Sequence, residues 1–274
     1  MTTKSARRGA AIAAAAMLST LASAPALAAL TVGAGSSLHV GDGALDLGCS
    51  DWIIAGSAAS GSGSVAGIAN LAITGGSLTA GAGRFALGGD FSDAGAFVPG
   101  ASRVSIVDAC GGGTSTVSGA TSFYDLVVAS ATGKQLVLPA ALTQSVAHAL
   151  TLQGAAGHLL GVLSSAAGQQ ALLNVSTAAA QTIAWVDARD DKASGATIAP
   201  GSAASFQSVD GGNLTNWFVT AVIVSGGGAP VPAPALGRPA ARRAARRLRM
   251  ETPQSARGAA MNRAPTIPAR SARE

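Results

Sequence analysis

Residues 29–237 contain no glutamate, aromatic side chains make up 4% of the chain, charged ones 11%, and there are only two cysteines. Each shortage excludes a class of protein. A chain that stays unfolded is more charged and less apolar than this one, whose hydrophobic share is 48% and is dominated by alanine. Few aromatics argue against an aromatic-lined groove. Over residues 29–237, Arg84, Arg103, Lys134, Arg189 and Lys192 face eleven aspartates, a net charge of −6, so no basic stripe with interleaved aromatics is left for nucleic acid. Two cysteines without nearby histidines are too few ligands for a metal centre. No G-x-S-x-G elbow, Walker loop or dinucleotide fingerprint occurs. No stretch keeps helical periodicity with caps. Pro139 to Leu152 comes nearest, with a proline suited to a first turn, but its polar residues share no face.

What is present begins at the N-terminus. Lys4, Arg7 and Arg8 form a positive n-region, Ala10 to Leu27 an apolar stretch, and Ala26-Leu27-Ala28 an A-x-A site with cleavage between Ala28 and Ala29. The stretch is mostly alanine and is broken by Ser19, Thr20, Ser23 and Pro25, which disfavours an uncleaved membrane anchor. Residues 1–28 are therefore expected to be a signal peptide, and the mature chain is expected to work outside the cytoplasm. The 29–223 stretch that follows is long enough to bury a sizeable core as one domain.

That domain reads as all-β. Runs such as Trp52-Ile53-Ile54, Leu71-Ala72-Ile73, Arg84 to Leu87, Arg103 to Val107, Phe123 to Val128, Gln135 to Leu138, Ile183 to Val186 and Trp217 to Val224 alternate with turns such as Gly75-Gly76, Gly111-Gly112-Gly113 and Asp210-Gly211-Gly212. Arg84-Phe85-Ala86-Leu87 returns nineteen positions later as Arg103-Val104-Ser105-Ile106. The same phase extends through Cys49, Ile68, Leu87, Ile106, Leu126 and Val146, at spacings of nineteen or twenty. Such a ladder predicts a β-solenoid, a parallel β-helix-like stack in which each coil sets an apolar residue on its like ~4.8 Å away. An antiparallel β-sandwich is the alternative.

Cys49 and Cys110 are the candidate disulfide of an exported protein. In a strict solenoid they lie three coils apart, ~14 Å, while a disulfide needs Cα atoms within ~7 Å. Either the N-terminal part folds back on itself or the thiols stay unpaired.

Asp187, Asp190 and Asp191, beside Arg189 and Lys192, form the one acidic cluster of the domain. Paired carboxylates serve acid/base cleavage of polysaccharides, and carboxylates with turn carbonyls suit Ca²⁺. Asp190 to Gly195 reads more simply as a solvated turn, so no catalytic residue, cofactor or firm metal site is expected. His39, His148 and His158 are scattered and read as structural.

Leu45-Asp46-Leu47-Gly48-Cys49, Ser122 to Val128, Trp185-Val186-Asp187 with Asp190 to Gly195, and Ser208 to Asn213 with Trp217-Phe218 together resemble a family of exported bacterial β-repeat proteins, over roughly residues 40–220. Many of its members end in a sorting signal of the IPTL-CTERM or PEP-CTERM kind. The resemblance implies a surface or extracellular-matrix protein without assigned catalysis. The same residues also read as structure: Phe123 and Tyr124 as a strand's two faces, Asp210 and Asn213 as turn formers, Trp217 as a closing core residue.

The C-terminus departs from the family. A linker at 224–237, Ser225 to Gly228 and then Ala229 to Gly237 with three prolines, resembles the start of a sorting signal. An apolar span should follow. Instead residues 238–274 form a basic tail with ten arginines against two glutamates, expected to be disordered in isolation. A shift of reading frame beyond Leu236 accounts for it, and a basic patch at Ala240 to Arg249 for an anionic surface is the literal alternative. The expected protein is thus non-enzymatic and adhesin-like, secreted to the cell surface or matrix. It would meet surface glycan or matrix components and the export and sorting machinery, no nucleic acid, and membrane only through a sorting tail. The alternative function is a polysaccharide-binding or polysaccharide-cleaving β-helix.

Overall fold

In the computed structural model, which describes residues 29–219, short runs of alternating side chains become short parallel strands. Arg84–Leu87, Arg103–Ile106 and Gln135–Leu138 share one pattern: exposed polar, buried apolar, half-buried, buried apolar. Alternation of this kind buries one face of a strand and leaves the other wet. Because no strand is long enough to bury a core alone, each rests on the equivalent strand of the next coil, and the chain winds into an all-β solenoid of about eight turns.

Registers fix the stack. Arg84 lies beside Arg103, Phe85 beside Val104 and Leu87 beside Ile106. One inward ladder runs Val65, Phe85, Val104, Leu126, Leu150, and a second runs Ile68, Leu87, Ile106, Val128, Leu152, Ile183. A third, Trp52, Leu71, Phe91, Val117, faces them across the core. A separate four-stranded strip stacks Leu38, Ala58, Leu78 and Phe97. Phe91, Phe97 and Phe123 meet edge to face or tilted, with centroids 5.3 to 5.9 Å apart. Phe91 and Phe123 are fully buried and contribute about 1.5–3 kcal/mol each, while Phe97 is half-buried against them.

The expected phase holds through Ile68, Leu87 and Ile106 and then slips. Ile106 stacks on Val128, not on Leu126, because the coil lengthens from nineteen residues between Arg84 and Arg103 to twenty-two between Arg103 and Asp125. Later coils grow further, with Asp125 on Ala149 and Ala149 on Ala180. Ser50, rather than Cys49, stacks on Ile68, and Val146 belongs to another side, between Phe123 and Val175. The helix-like stretch from Pro139 forms the strand Thr143–Gln153. Ile183 to Val186 is split into Ala180–Ala184 and Val186–Arg189 by Trp185, whose φ of 57° turns a corner. At the C-terminal end the 3-10 turn Ala203–Phe206 and the cluster of Phe206, Trp217 and Phe218 close the stack, so Trp217 is the core residue expected of it.

Solenoid and disulfide coexist. Cys49 and Cys110 are bonded, with Cα atoms 4.9 Å apart. Two excursions of the backbone close the distance. In the strand Ala44–Ile54, Gly48 and Cys49 take left-handed φ values of 56° and 64°, and the register slips between Asp46 and Ser50, so Cys49 bulges out of its coil. After Arg103–Ile106 the chain bends back along the outside, with Ala109 and Gly111 packed against Gly88 of the coil before. A Cβ on Gly88 would collide with the Ala109 carbonyl, which is why this approach needs glycine.

Lys134, fully buried, secures the same loop. Its Nζ donates to Gly88 O at 2.6 Å, Gly112 O at 2.7 Å and Ser115 Oγ at 3.2 Å, which satisfies all three ammonium protons. Burial lowers its pKa, against the raising influence of Asp108 and Asp90. Along one corner a polar ladder joins successive coils: Asn70 Nδ2 donates to Asp51 Oδ1, Asp90 N to Asn70 Oδ1, and Thr116 N to Asp90 Oδ1, at 2.7 to 2.8 Å. Among the described residues no helix is long and apolar enough to cross a membrane. The expected signal peptide with Ala28, the 224–237 linker and the basic tail lie outside the described residues; Ala29 is the first described, and the first strand, Leu30–Val32, begins one residue later.

Candidate functional site

The acidic cluster read from the sequence does not converge. Asp190 has a φ of 54° and turns to accept hydrogen bonds from Asn213 Nδ2 at 2.6 Å and from Gly168 N at 3.0 Å. Those two donors, the Asn213 amide first, hold its carboxyl below the usual range. Asp191 opens the strand Asp191–Gly195 instead of a solvated turn, and its side chain is fully buried with a 2.7 Å hydrogen bond from Trp217 Nε1. Burial pushes its pKa up to about 7, opposed by that bond. Asp187 lies in the neighbouring strand Val186–Arg189, with Oδ1 buried and unpartnered among the described residues. Among the described residues no group of three or more His, Cys, Asp or Glu side chains comes together to hold a metal ion. Asp190 therefore clasps two turns, and Asp191 belongs to the core.

A different constellation is assembled on the outer face. The ladder that puts Phe85 and Val104 inward carries Ser64, Arg84, Arg103 and Asp125 at its outward start. One coil on, Phe123 pairs with Val146 but Asp125 pairs with Ala149, so Ala147 and His148 together oppose Tyr124. This is a β-bulge, a device that re-aims a side chain out of the regular pleat. It lays the His148 ring parallel to Tyr124, with centroids 4.6 Å apart and 8° between planes. It also places His148 Nδ1 2.7 Å from Asp125 Oδ1. Asp125 Oδ2 lies 3.6 Å from Arg103 Nε.

The chain Arg103, Asp125, His148 is graded in exposure. The Asp125 side chain is 12% exposed, Arg103 45% and His148 58%. The carboxylate is thus screened from water by the two groups it orients, and their outer edges remain open. Arg84 is exposed too and has no ion pair among the described residues. Between the arginines sits a cleft of about 90 Å³ floored by Ala82, Gly83 and Ala101. A second, broader cleft of about 530 Å³ lies beside Val107, Asp108, Ser130 and Gln153, lined mainly by small apolar and backbone groups.

Two signals in the sequence foreshadowed this site. Arg84 and Arg103 stood in the repeat itself, and one tyrosine in a chain so poor in aromatics marks its neighbourhood. The contact between His148 and Asp125 has no signal in the sequence, because the two lie 23 residues apart and a bulge that no periodicity shows brings them together. No known protein family, curated protein or solved structure matches the chain.

Proposed function

We propose that this is an exported, non-enzymatic β-solenoid of the bacterial cell surface or extracellular matrix, related to the β-repeat proteins that carry a C-terminal sorting signal. It acts by presenting one rigid, repetitive face to surface glycan or matrix components. The observation that carries the reading is the Cys49–Cys110 disulfide, a cross-link typical of oxidising compartments, in a chain whose N-terminus has the three-part pattern of a secretion signal.

Expression of the gene in a bacterial host, followed by cell fractionation and N-terminal sequencing, tests the proposal. Export predicts a chain beginning at Ala29, recovered from the periplasm, surface or medium with no free thiol. A cytoplasmic chain that keeps residues 1–28 and two free thiols would overturn it. The second reading, polysaccharide binding or cleavage, is favoured by one observation, the open Arg84, Arg103, His148 and Tyr124 face.

A further inference from the structure

Two guanidinium groups on adjacent coils, a small cleft between them and a stacked ring pair beside it form a recognisable arrangement of donors. Asp125 holds Arg103 from the Nε side, so the outer nitrogens of its guanidinium are left for a ligand. Arg84 sits one coil away, its whole guanidinium unengaged by any ion pair among the described residues. A planar guanidinium is built to take a carboxylate through two parallel hydrogen bonds. The cleft of about 90 Å³ floored by alanine and glycine leaves room for a group of that size between the two arginines.

The surroundings narrow the ligand further. Over residues 29–237 the net charge is −6, so a dense polyanion would be repelled by the domain as a whole. A short acidic oligomer, or a sparsely charged chain, would not. On the other side of Asp125, His148 and Tyr124 offer flat, half-exposed rings of the kind that pack on the apolar face of a sugar. Ser64, next to Arg84 in the outward ladder, adds a hydroxyl.

We propose that this face binds a carboxylate-bearing saccharide, with the carboxylate between Arg84 and Arg103 and an adjoining sugar ring against the His148–Tyr124 pair. Asp125 is the positioning residue, because it orients both arms through His148 Nδ1 and Arg103 Nε. The inference rests on the surface-glycan reading above by naming the ligand of that face. It is tested on purified protein, so its failure would be distinct from a failure of export.

The chain has a single tyrosine, and it lies in the site. With ¹³C-labelled tyrosine, the Tyr124 ring signal of the mature chain reports this face alone, whatever acidic oligomers do at the arginines beyond residue 237. Titration with trigalacturonate should move that signal saturably. Arg84→Gln and Arg103→Gln should each weaken binding about tenfold or more, the worth of a charge-assisted hydrogen bond. The methyl-esterified trimer should fail to move it. His148→Ala, which leaves both arginines in place, should also weaken binding. The pair Arg189→Gln and Lys192→Gln, an equal loss of charge elsewhere, should bind as the parent does.

Silence of the Tyr124 signal, or an unchanged titration in the Arg84→Gln and Arg103→Gln variants, would overturn the proposal. So would sodium sulfate reproducing the shift at the same concentration, because the face would then be a general anion site without a place for sugar.

Discussion

Trp217 Nε1 donates a 2.7 Å hydrogen bond to Asp191 Oδ1 inside the closing layer, while Asp191 Oδ2 is buried with no partner among the described residues. A neutral carboxyl suits such a position, and burial lifts its pKa from 3.8 to about 7. Between those values the folded chain holds a proton that the unfolded chain releases. Stability therefore falls as pH rises through this window and levels off above pH 7, a cost on the order of a few kcal/mol. Urea midpoints measured from pH 4 to pH 8 should show the decline. Asp191→Asn, which keeps an acceptor for Trp217 without the charge, should flatten it and be the more stable protein at pH 8.

The cross-link between Cys49 and Cys110 closes a loop of 61 residues. Its loss should cost about 4 kcal/mol, on the chain-entropy account. Urea unfolding of the parent with and without reductant, beside the Cys49→Ser/Cys110→Ser variant, measures this. The double variant should match the reduced parent and ignore reductant.

Gly88→Ala sets a methyl group against the Ala109 carbonyl, so the returning loop must move. The expected result is a destabilisation of about 1–3 kcal/mol, as for other forced steric insertions. Thiol titration of the freshly folded variant should also show a larger free-thiol fraction than the parent, since the same loop carries Cys110.

Lys134→Met removes the ammonium that caps Gly88 O, Gly112 O and Ser115 Oγ. Gly88 O keeps the hydrogen bond from Ser115 Oγ, so the loss should cost about 1–3 kcal/mol. Because Gly112 lies two residues from Cys110, the costs of Lys134→Met and of disulfide loss should be non-additive in a double-mutant cycle of urea unfolding.

Asn70 is the middle rung of the corner ladder, donating to Asp51 and accepting from Asp90. Asn70→Ala should cost about 0.5–1.5 kcal/mol, the net worth of hydrogen bonds open to water. Asn70→Asp should be worse at neutral pH, because the donor to Asp51 becomes a like charge, and the excess should vanish as pH falls through the carboxylate range. Thermal unfolding of both variants at pH 4 and pH 7 separates the two effects.

Much of the architecture was legible because stacking demands repetition. Arg84 to Leu87 and Arg103 to Ile106 are one coil apart and show it directly. The repeat was lost beyond Ile106 because later coils absorb extra residues in outward turns, which leaves the inward pattern intact while destroying its period. Asp51, Asn70 and Asp90 follow the same nineteen- and twenty-residue spacing, a polar repeat that the apolar phase does not carry. The pairing of Cys49 with Cys110 was legible but its place in a solenoid was not, because a one-dimensional repeat shows neither the bulge at Cys49 nor the loop turning back past Gly88. Asp191 misled for a related reason. In Asp190-Asp191-Lys192 charge suggests solvent, yet Asp190 turns a corner and the alternation that follows carries Asp191 into the core. The outer face was the least visible, since the contact between Asp125 and His148 depends on a single extra residue opposite Tyr124.

A stack of coils pulled from its N-terminal end should peel one coil at a time, as thread leaves a spool. The bond between Cys49 and Cys110 interrupts that unwinding after the first coil, for the 61 residues it encloses cannot lengthen between the two anchor points. At the reach of an extended chain, roughly 200 Å of slack is kept out of play until the sulfurs part. Under shear, the oxidised molecule is a short tether and the reduced one a long tether.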